Sequence, residues 1–324
     1  VNSAFLSWES ARRVKEGLPD LRDIPACIGG DPKKRTGIVV AKSIPAKKYG
    51  IQTGEPMAMA LRKCPELVIV QSDFELYVKC SRAFKEICAS YTPIMESFSI
   101  DEVFLDMTGM SLLYPDPIAA AHEIKDRIHR ELGFTVNVGV STNKLLAKMA
   151  SDFEKPDKVH TLFPDEIETK MWPLPISSLF MAGHASVAVL QKLEIRTIGD
   201  LAQMDPAILT LHLKSHGKML WEYANGVDNS ALESEPSQAK GIGNSTTLAS
   251  DLTTAQEAYP ILLQLSTKVG KRLEKAGQSA NNLCVEIKYA TFEKYTRQMP
   301  LSAPTQSGKK LYHTACHLFD TLWN

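Results

Sequence analysis

Apolar positions recur along the chain at two spacings, one strand-like and one helical. The opening stretch VNSAFLSWES is apolar apart from Asn2 and Ser3, which predicts the end of a buried strand running into a helix over residues 6–15. The run TGIVVA at 36–41 predicts a buried strand, and AKKYGIQTGEPMAMALRKCPEL predicts turns and a short helix ending before Pro65. Leu76, Val78, Cys80, Phe84, Ile87 and Cys88 have helical spacing over 74–90. IMESFSIDEVFLDMTG reads as two extended runs about a tight polar turn. A helix over 117–132 follows, with Ile118, Ala121, Ile124 and Ile128 on one face. FTVNVGVS alternates as a strand does, and TNKLLAKMASDFEKP is a helix that Pro156 stops at Lys155. Residues 91–160 therefore run strand–strand–helix–strand–helix, an α+β layout with crossover helices.

Past residue 165 the pattern changes. FMAGHASVAVLQKLEIRTIGDLAQM predicts helix, tight turn, helix, with Gly199 in the bend, and LHLKSHGKMLWEYANGVDNS predicts a second such unit. The polar SALESEPSQAKG reads as a linker. Beyond it the pattern predicts a strand at 241–248, a helix at 254–276, strands at 282–290 and 294–302, and a helix at 307–323. That βαββα order is one strand short of a ferredoxin-like βαββαβ unit, so truncation at the C-terminal end is expected.

At 324 residues the chain has room for two or three domains, and its 44% hydrophobic and 23% charged residues are ordinary for a globular protein. No run approaches the length of a membrane span, and no signal peptide opens the sequence. Six cysteines without a C-x-x-C pair suit reduced, buried thiols in a cytosolic protein. The net charge of zero hides a pattern. Residues 9–90 carry 15 Lys/Arg against 10 Asp/Glu and residues 240–324 carry 10 against 6, while the stretch between them is acidic. Basic segments flanking acidic ones suit a protein that grips a polyanion and houses a metal.

The acidic centre is sharpest at Asp101 and Glu102, between SFSI and VFLD. Adjacent side chains in a strand point to opposite faces, but at a hairpin turn both carboxylates can reach one ion. Phosphoryl transfer uses such oxygen ligands, because hard cations bridge phosphate oxygens and neutralise developing charge. One Asp-Glu pair is not a full two-metal ligand set.

SIDEVFLD resembles the catalytic hairpin of the Y-family DNA polymerases, the translesion enzymes of the UmuC and DNA polymerase IV (DinB) type. The resemblance extends over nearly the whole chain. VNSAFLSWE is similar to the tail of the first palm strand, VVAKSIPAKKYGIQTGEPM to the fingers, and VGVSTNKLLAKMASDFEKPD to the last palm strand and helix. EIRTIGDLA is similar to the thumb's helix-hairpin-helix and KGIGNSTTL to the start of the little finger. The resemblance implies an α+β polymerase right hand: palm at 1–10 and 75–164, fingers at 11–74, helical thumb at 165–232, linker at 233–240 and little finger at 241–324.

It also implies a template-directed DNA polymerase of DNA repair and the SOS response, adding deoxynucleotides opposite damaged bases by two-metal-ion transfer. Asp101, Glu102 and the Val1 carbonyl would hold two Mg²⁺ ions, with Asp101 and Glu102 catalytic. Backbone N–H groups of Asn2, Ser3, Ala4 and Phe5 would cradle the triphosphate, Phe5 would be the steric gate, and Lys155 would reach the phosphates. The fingers depart from the family's Y-E-A-R-K pattern: Ile44 replaces the Tyr and Lys47 the Arg, which leaves Lys47, Ser43 and Lys42 as phosphate contacts. The thumb turn MAGHAS keeps only Gly183 of a G-x-G pair for contact with the DNA backbone, and Lys288, Lys294 and Arg297 are the little-finger candidates. The implied partners are primer-template DNA, a deoxynucleoside triphosphate, and a sliding clamp reached through a segment beyond Asn324. The implied setting is cytoplasmic, with no membrane.

The family pattern places an aspartate immediately before Val1, so the chain as it stands is expected to lack one carboxylate and to be inactive or crippled. Two other readings compete. A nucleotide cyclase has the palm but neither a helix-hairpin-helix nor a basic C-terminal domain. A catalytically impaired, polymerase-like DNA-binding accessory protein fits the departures in the fingers but not the intact Asp101 and Glu102.

Overall fold

A computed structural model describes residues 1–32, 37–234 and 239–323, which divide into two compact units, one of residues 1–30 and 38–236 and one of 31–37 and 237–324. The first unit begins with a turn and α1 (Ala4–Lys15), then β1 (Ala26–Gly29), β2 (Val39–Lys42), α2 (Ile44–Lys48), α3 (Met57–Lys63), β3 (Val68–Gln71) and α4 (Phe74–Ala89). The hairpin β4 (Met95–Ser97) and β5 (Val103–Leu105) follows, then α5 (Pro117–Leu132), β6 (Val138–Val140), α6 (Lys144–Ser151) and β7 (Val159–Thr161). Four helices end it: α7 (His184–Lys192), α8 (Ile198–Ala202), α9 (Pro206–Leu213) and α10 (Ser215–Ala224).

Three cores hold this unit. Trp8, Tyr77, Phe84, Ile124 and Phe134 centre one beneath β4/β5; Val39, Ala46, Met57 and Cys64 centre a smaller one; Leu146, Met149, Leu190 and Leu220 join α6 to the four C-terminal helices. β1 pairs antiparallel with β2 and parallel with β3. Among the described residues β4/β5 (antiparallel) and β6/β7 (parallel) are separate two-stranded sheets.

Local chemistry sets the helix ends. Asp116 caps α5 by accepting from the N–H of Ile118 and Ala119, Pro117 occupies its first turn, and Gly133 closes it at φ 80°. Asp73 and Asn143 cap α4 and α6 in the same way. Gly139 lets β6 press against α6: a Cβ there would lie 1.9 Å from the Ala147 carbonyl oxygen.

The second unit contains α11 (Tyr259–Lys275), β8 (Ala280–Lys288), β9 (Lys294–Thr305) and α12 (Gly308–Asp320), with a core of Val285, Ala315, Leu318 and Phe319. The α+β class expected from the pattern is observed. Several details differ. Residues 241–248 form no strand, because no other strand takes up their backbone groups. The helix expected to reach Lys155 ends at Ser151, with Asp152 as its cap, and the Lys155–Pro156 bond is cis. Gly199 lies inside α8, and the bend before it is made by residues 193–197, with Glu194 at φ 61°. β1, β3 and β7 were not anticipated. Thr36 of the predicted strand and 235–238 of the predicted linker lie outside the described residues. All six cysteines are free; Cys27, Cys64 and Cys88 are buried, but Cys284 is exposed. Among the described residues no helix is long and apolar enough to cross a membrane.

Candidate active site

The turn between β4 and β5 is braced from below. Phe98 and Ser99 donate their N–H groups to the Glu102 carbonyl at 3.1 and 3.2 Å. From α4, Lys85 reaches Ser97 Oγ and the Ser99 carbonyl, both at 2.6 Å, and the Ser81 hydroxyl donates to the Ile100 carbonyl. Asp101 Oδ1 accepts from Ser99 Oγ at 2.8 Å, and the Val1 nitrogen donates to the Asp101 carbonyl at 2.8 Å. The turn therefore holds two partly exposed carboxylates on a backbone tied at several points.

Beside them is a row of alternating charge. Lys148 Nζ on α6 lies 2.5 Å from Glu102 Oε1 and 3.2 Å from Asp152 Oδ2, and Lys155 Nζ lies 2.7 Å from Asp152 Oδ1. Burial pulls the Lys148 ammonium down, but Glu102 and Asp152 more than offset it and hold the pKa above its usual value. Asp152 is held below the carboxylate range: burial opposes the shift, and Lys155 and Lys148 outweigh it.

A cavity of about 780 Å³ opens at this point. Its lining includes Val1, Asn2, Asp101, Glu102, Asn137, Lys148 and Lys155 as well as the apolar Ile124, Ile128 and Val136. Asn137 ties several of these segments together. It accepts from the Asn2 amide at 3.1 Å and donates to the carbonyls of Ser151 and Glu154 at 3.2 and 2.6 Å. Among the described residues no group of three or more His, Cys, Asp and Glu side chains is gathered to hold a metal. The hairpin supplies two carboxylates, and such hard oxygen donors fit Mg²⁺.

The cavity gathers Val1, Asn2, Asp101, Glu102 and Lys155 from the residues singled out in the sequence; the others lie elsewhere. The Asn2 N–H is already donated to the Thr135 carbonyl at 3.0 Å and is not free for a ligand. Ser3, Ala4 and Phe5 open α1, so their N–H groups have no acceptor within the helix. Phe5 stacks on the buried Tyr77 at 4.5 Å between ring centroids, with Phe74 edge-on at 5.9 Å, and Tyr77 Oη faces the buried Glu9 at 3.5 Å.

Ser43 is fully committed. Its hydroxyl donates to the Ile24 carbonyl and accepts from the N–H groups of Ala26 and Ala46, so it caps α2 and cannot meet a phosphate. Lys42 reaches Thr53 Oγ1 at 3.3 Å, and Ile44 and Lys47 are exposed on α2. Gly183 caps α7 with open space beside it, but its own N–H is donated to the Met181 carbonyl at 3.0 Å. The free N–H groups of that turn are those of the first turn of α7.

In the second unit, register separates the three candidates. Lys288 lies opposite Lys294 and shares its face of the sheet; Arg297 lies opposite the buried Val285, on the other face. Lys294 pairs with Glu286 at 3.0 Å, and Lys288 covers the Phe292 ring at 4.2 Å.

Sequence reasoning passed over Lys148, Asp152, Asn137 and Tyr77. The four-residue spacing of Lys148 and Asp152 on a predicted helix was a visible signal. The contacts of Glu102 with Lys148 and of Phe5 with Tyr77 are tertiary and carried none.

The chain is similar to known proteins along most of its length. The impB/mucB/samB family matches residues 1–152, and its C-terminal domain matches residues 239–324. DNA polymerase IV of Clostridium acetobutylicum is 45% identical over 324 residues, all of this chain and 82% of the relative. DNA polymerase IV of Acetivibrio thermocellus is 38% identical over 308 residues, 94% of this chain and 77% of the relative. A Y-family DNA polymerase chimera of known structure superposes with a TM-score of 0.85 at 21% identity, covering 98% of this chain and 91% of that one.

Proposed function

The chain belongs to the Y-family DNA polymerases of the DNA polymerase IV type, and we propose that the hairpin carboxylates Asp101 and Glu102 are the centre of its nucleotidyl transfer. It is a translesion DNA polymerase acting on DNA and nucleotide substrates, in a family that is metal-dependent. The observation that carries the assignment is the opening of both carboxylates into one cavity beside Lys148 and Lys155.

In this reading Asp101 and Glu102, with the Val1 carbonyl, would hold two Mg²⁺ ions, which would supply activation of the primer 3′-hydroxyl and neutralisation of charge on the phosphates. The chain's own groups position the reactants. N–H groups at the start of α1 (Ser3, Ala4, Phe5) and the ammonium groups of Lys155 and Lys47 face the triphosphate. The Phe5 ring, held by Tyr77 and Phe74, lies under the sugar and excludes a 2′-hydroxyl by contact. In this reading palm, fingers, thumb and little finger occupy 1–10 with 75–164, 11–74, 165–232 and 241–324, with a linker at 233–240; the little-finger range has a core of its own, while α6 of the palm range shares a core with the thumb helices. The thumb turn at Gly183 and the basic β8/β9 hairpin contact DNA phosphates. The protein works in the cytoplasm.

Primer extension with Mg²⁺ by the full-length protein tests the reading. Asp101→Asn and Glu102→Gln are each expected to lower incorporation by at least ~10³-fold without unfolding the protein. Incorporation unchanged by both substitutions would move the chemistry elsewhere.

A further inference from the structure

Asp152 caps the C-terminal end of α6 and is not among the cavity's lining residues, whereas both of its lysine partners are. Its two carboxylate oxygens are divided between them: Oδ1 meets Lys155 at 2.7 Å and Oδ2 meets Lys148 at 3.2 Å. Lys148 in turn meets Glu102 at 2.5 Å. The row Glu102–Lys148–Asp152–Lys155 thus joins a hairpin carboxylate to the lysine assigned to the triphosphate.

The backbone under this row is held independently of Asp152. Asn137 ties the carbonyls of Ser151 and Glu154, the Asp157 N–H is donated to Asn2 Oδ1 at 3.1 Å, and Lys125 pairs with Asp157 at 3.1 Å. Asp152 therefore does not set where the loop runs. It sets where two long, flexible side chains point. A lysine on a four-carbon stem loses rotamer freedom when it binds an anion, and a neighbour that already restrains it reduces that loss. The Lys155 side chain is 49% exposed, so without such a partner its ammonium would sample solvent.

We propose that Asp152 is a positioning residue for nucleotide binding: it aims Lys155 into the cavity. The proposal rests on the reading of Lys155 as a phosphate contact and adds a residue that touches neither nucleotide nor DNA. Its mark is that Asp152 acts through Lys155, so the two substitutions do not add.

The test is equilibrium binding of a deoxynucleoside triphosphate to the protein on a primer-template whose primer end cannot react. Asp152→Asn is expected to weaken binding about 5- to 10-fold and Lys155→Ala by a similar factor. The double variant is expected to be no weaker than Lys155→Ala alone. Asp152→Glu, which keeps the charge, is expected to recover part of the loss. A thermal melt of each variant separates a folding defect from a positioning one, because a structural role moves the melting temperature and charge rescue does not depend on it. If Lys155→Ala leaves affinity unchanged, the phosphate reading of Lys155 fails and this proposal fails with it. If Lys155→Ala weakens binding while Asp152→Asn does not, or strengthens it, the positioning role is overturned and the phosphate reading stands. Additive losses in the double variant also overturn it, because Asp152 would then act by another route.

Discussion

Two antiparallel hairpins of this protein, β4/β5 and β8/β9, handle charge in opposite ways. β4/β5 has three residues per strand, and both of its glutamates meet partners from another element: Glu96 meets Lys144 at 2.6 Å and Glu102 meets Lys148 at 2.5 Å, both from α6. β8/β9 has strands of 9 and 12 residues, and its Glu286–Lys294 pair is formed across its own ladder, half in solvent. The long hairpin is held by its own backbone bonds, so its charges are free to meet something outside. The short one is too small to hold itself and is fixed by α4, α6 and the start of the chain. Charge in the short hairpin has become part of the scaffold as well as the site. In the low effective dielectric there, each contact counts for more than the same contact in water.

Breaking a scaffold contact is expected to have the largest effect. Glu96 is well covered and also accepts the Glu233 N–H at 2.9 Å, so Glu96→Gln leaves the Lys144 ammonium without its counter-charge. Chemical denaturation is expected to show a loss of about 2–3 kcal/mol. A loss below about 0.5 kcal/mol would show that this hairpin treats charge no differently from the exposed one.

A smaller effect, on binding alone, is expected at the long hairpin. Lys288→Ala with Lys294→Ala is expected to weaken duplex DNA binding several-fold and to reduce the salt dependence of log K by about 1–2. Adding Arg297→Ala tests the split between the faces: a further drop of equal size would mean that both faces touch phosphate. The smallest effect is expected from Glu286→Gln, which removes the exposed partner of Lys294. Stability is expected to stay within about 0.5 kcal/mol. A larger loss in the thermal melt would make β8/β9 a charge-braced hairpin like β4/β5.

What could be read in the sequence was what adjacent residues decide together. α5 was legible at both ends because Asp116, Pro117 and Gly133 are capping residues whose effect is local. Asp101 and Glu102 stood out because two carboxylates between apolar runs are costly unless used, and the family resemblance gave them roles. Less was legible wherever a second element decides. Residues 241–248 have a strand-like composition but no ladder, since a strand exists only with a partner. Ser43 looked like a phosphate contact beside Lys42 and Lys47, but a helix cap and the packing of β1 take its hydroxyl. Lys288, Lys294 and Arg297 looked equivalent, but register puts Arg297 on the other face.

The chain's local order of residues determined its helices, its turns and the carboxylates it offers to chemistry, because capping, turn preference and charge act over a few residues. Tertiary structure alone decided what those groups face. It brought Lys148 against Glu102 across 46 positions, set Phe5 on Tyr77, and placed Asp152 behind Lys155. Such contacts depend on how helices and strands pack against one another, and no spacing along the chain encodes that distance.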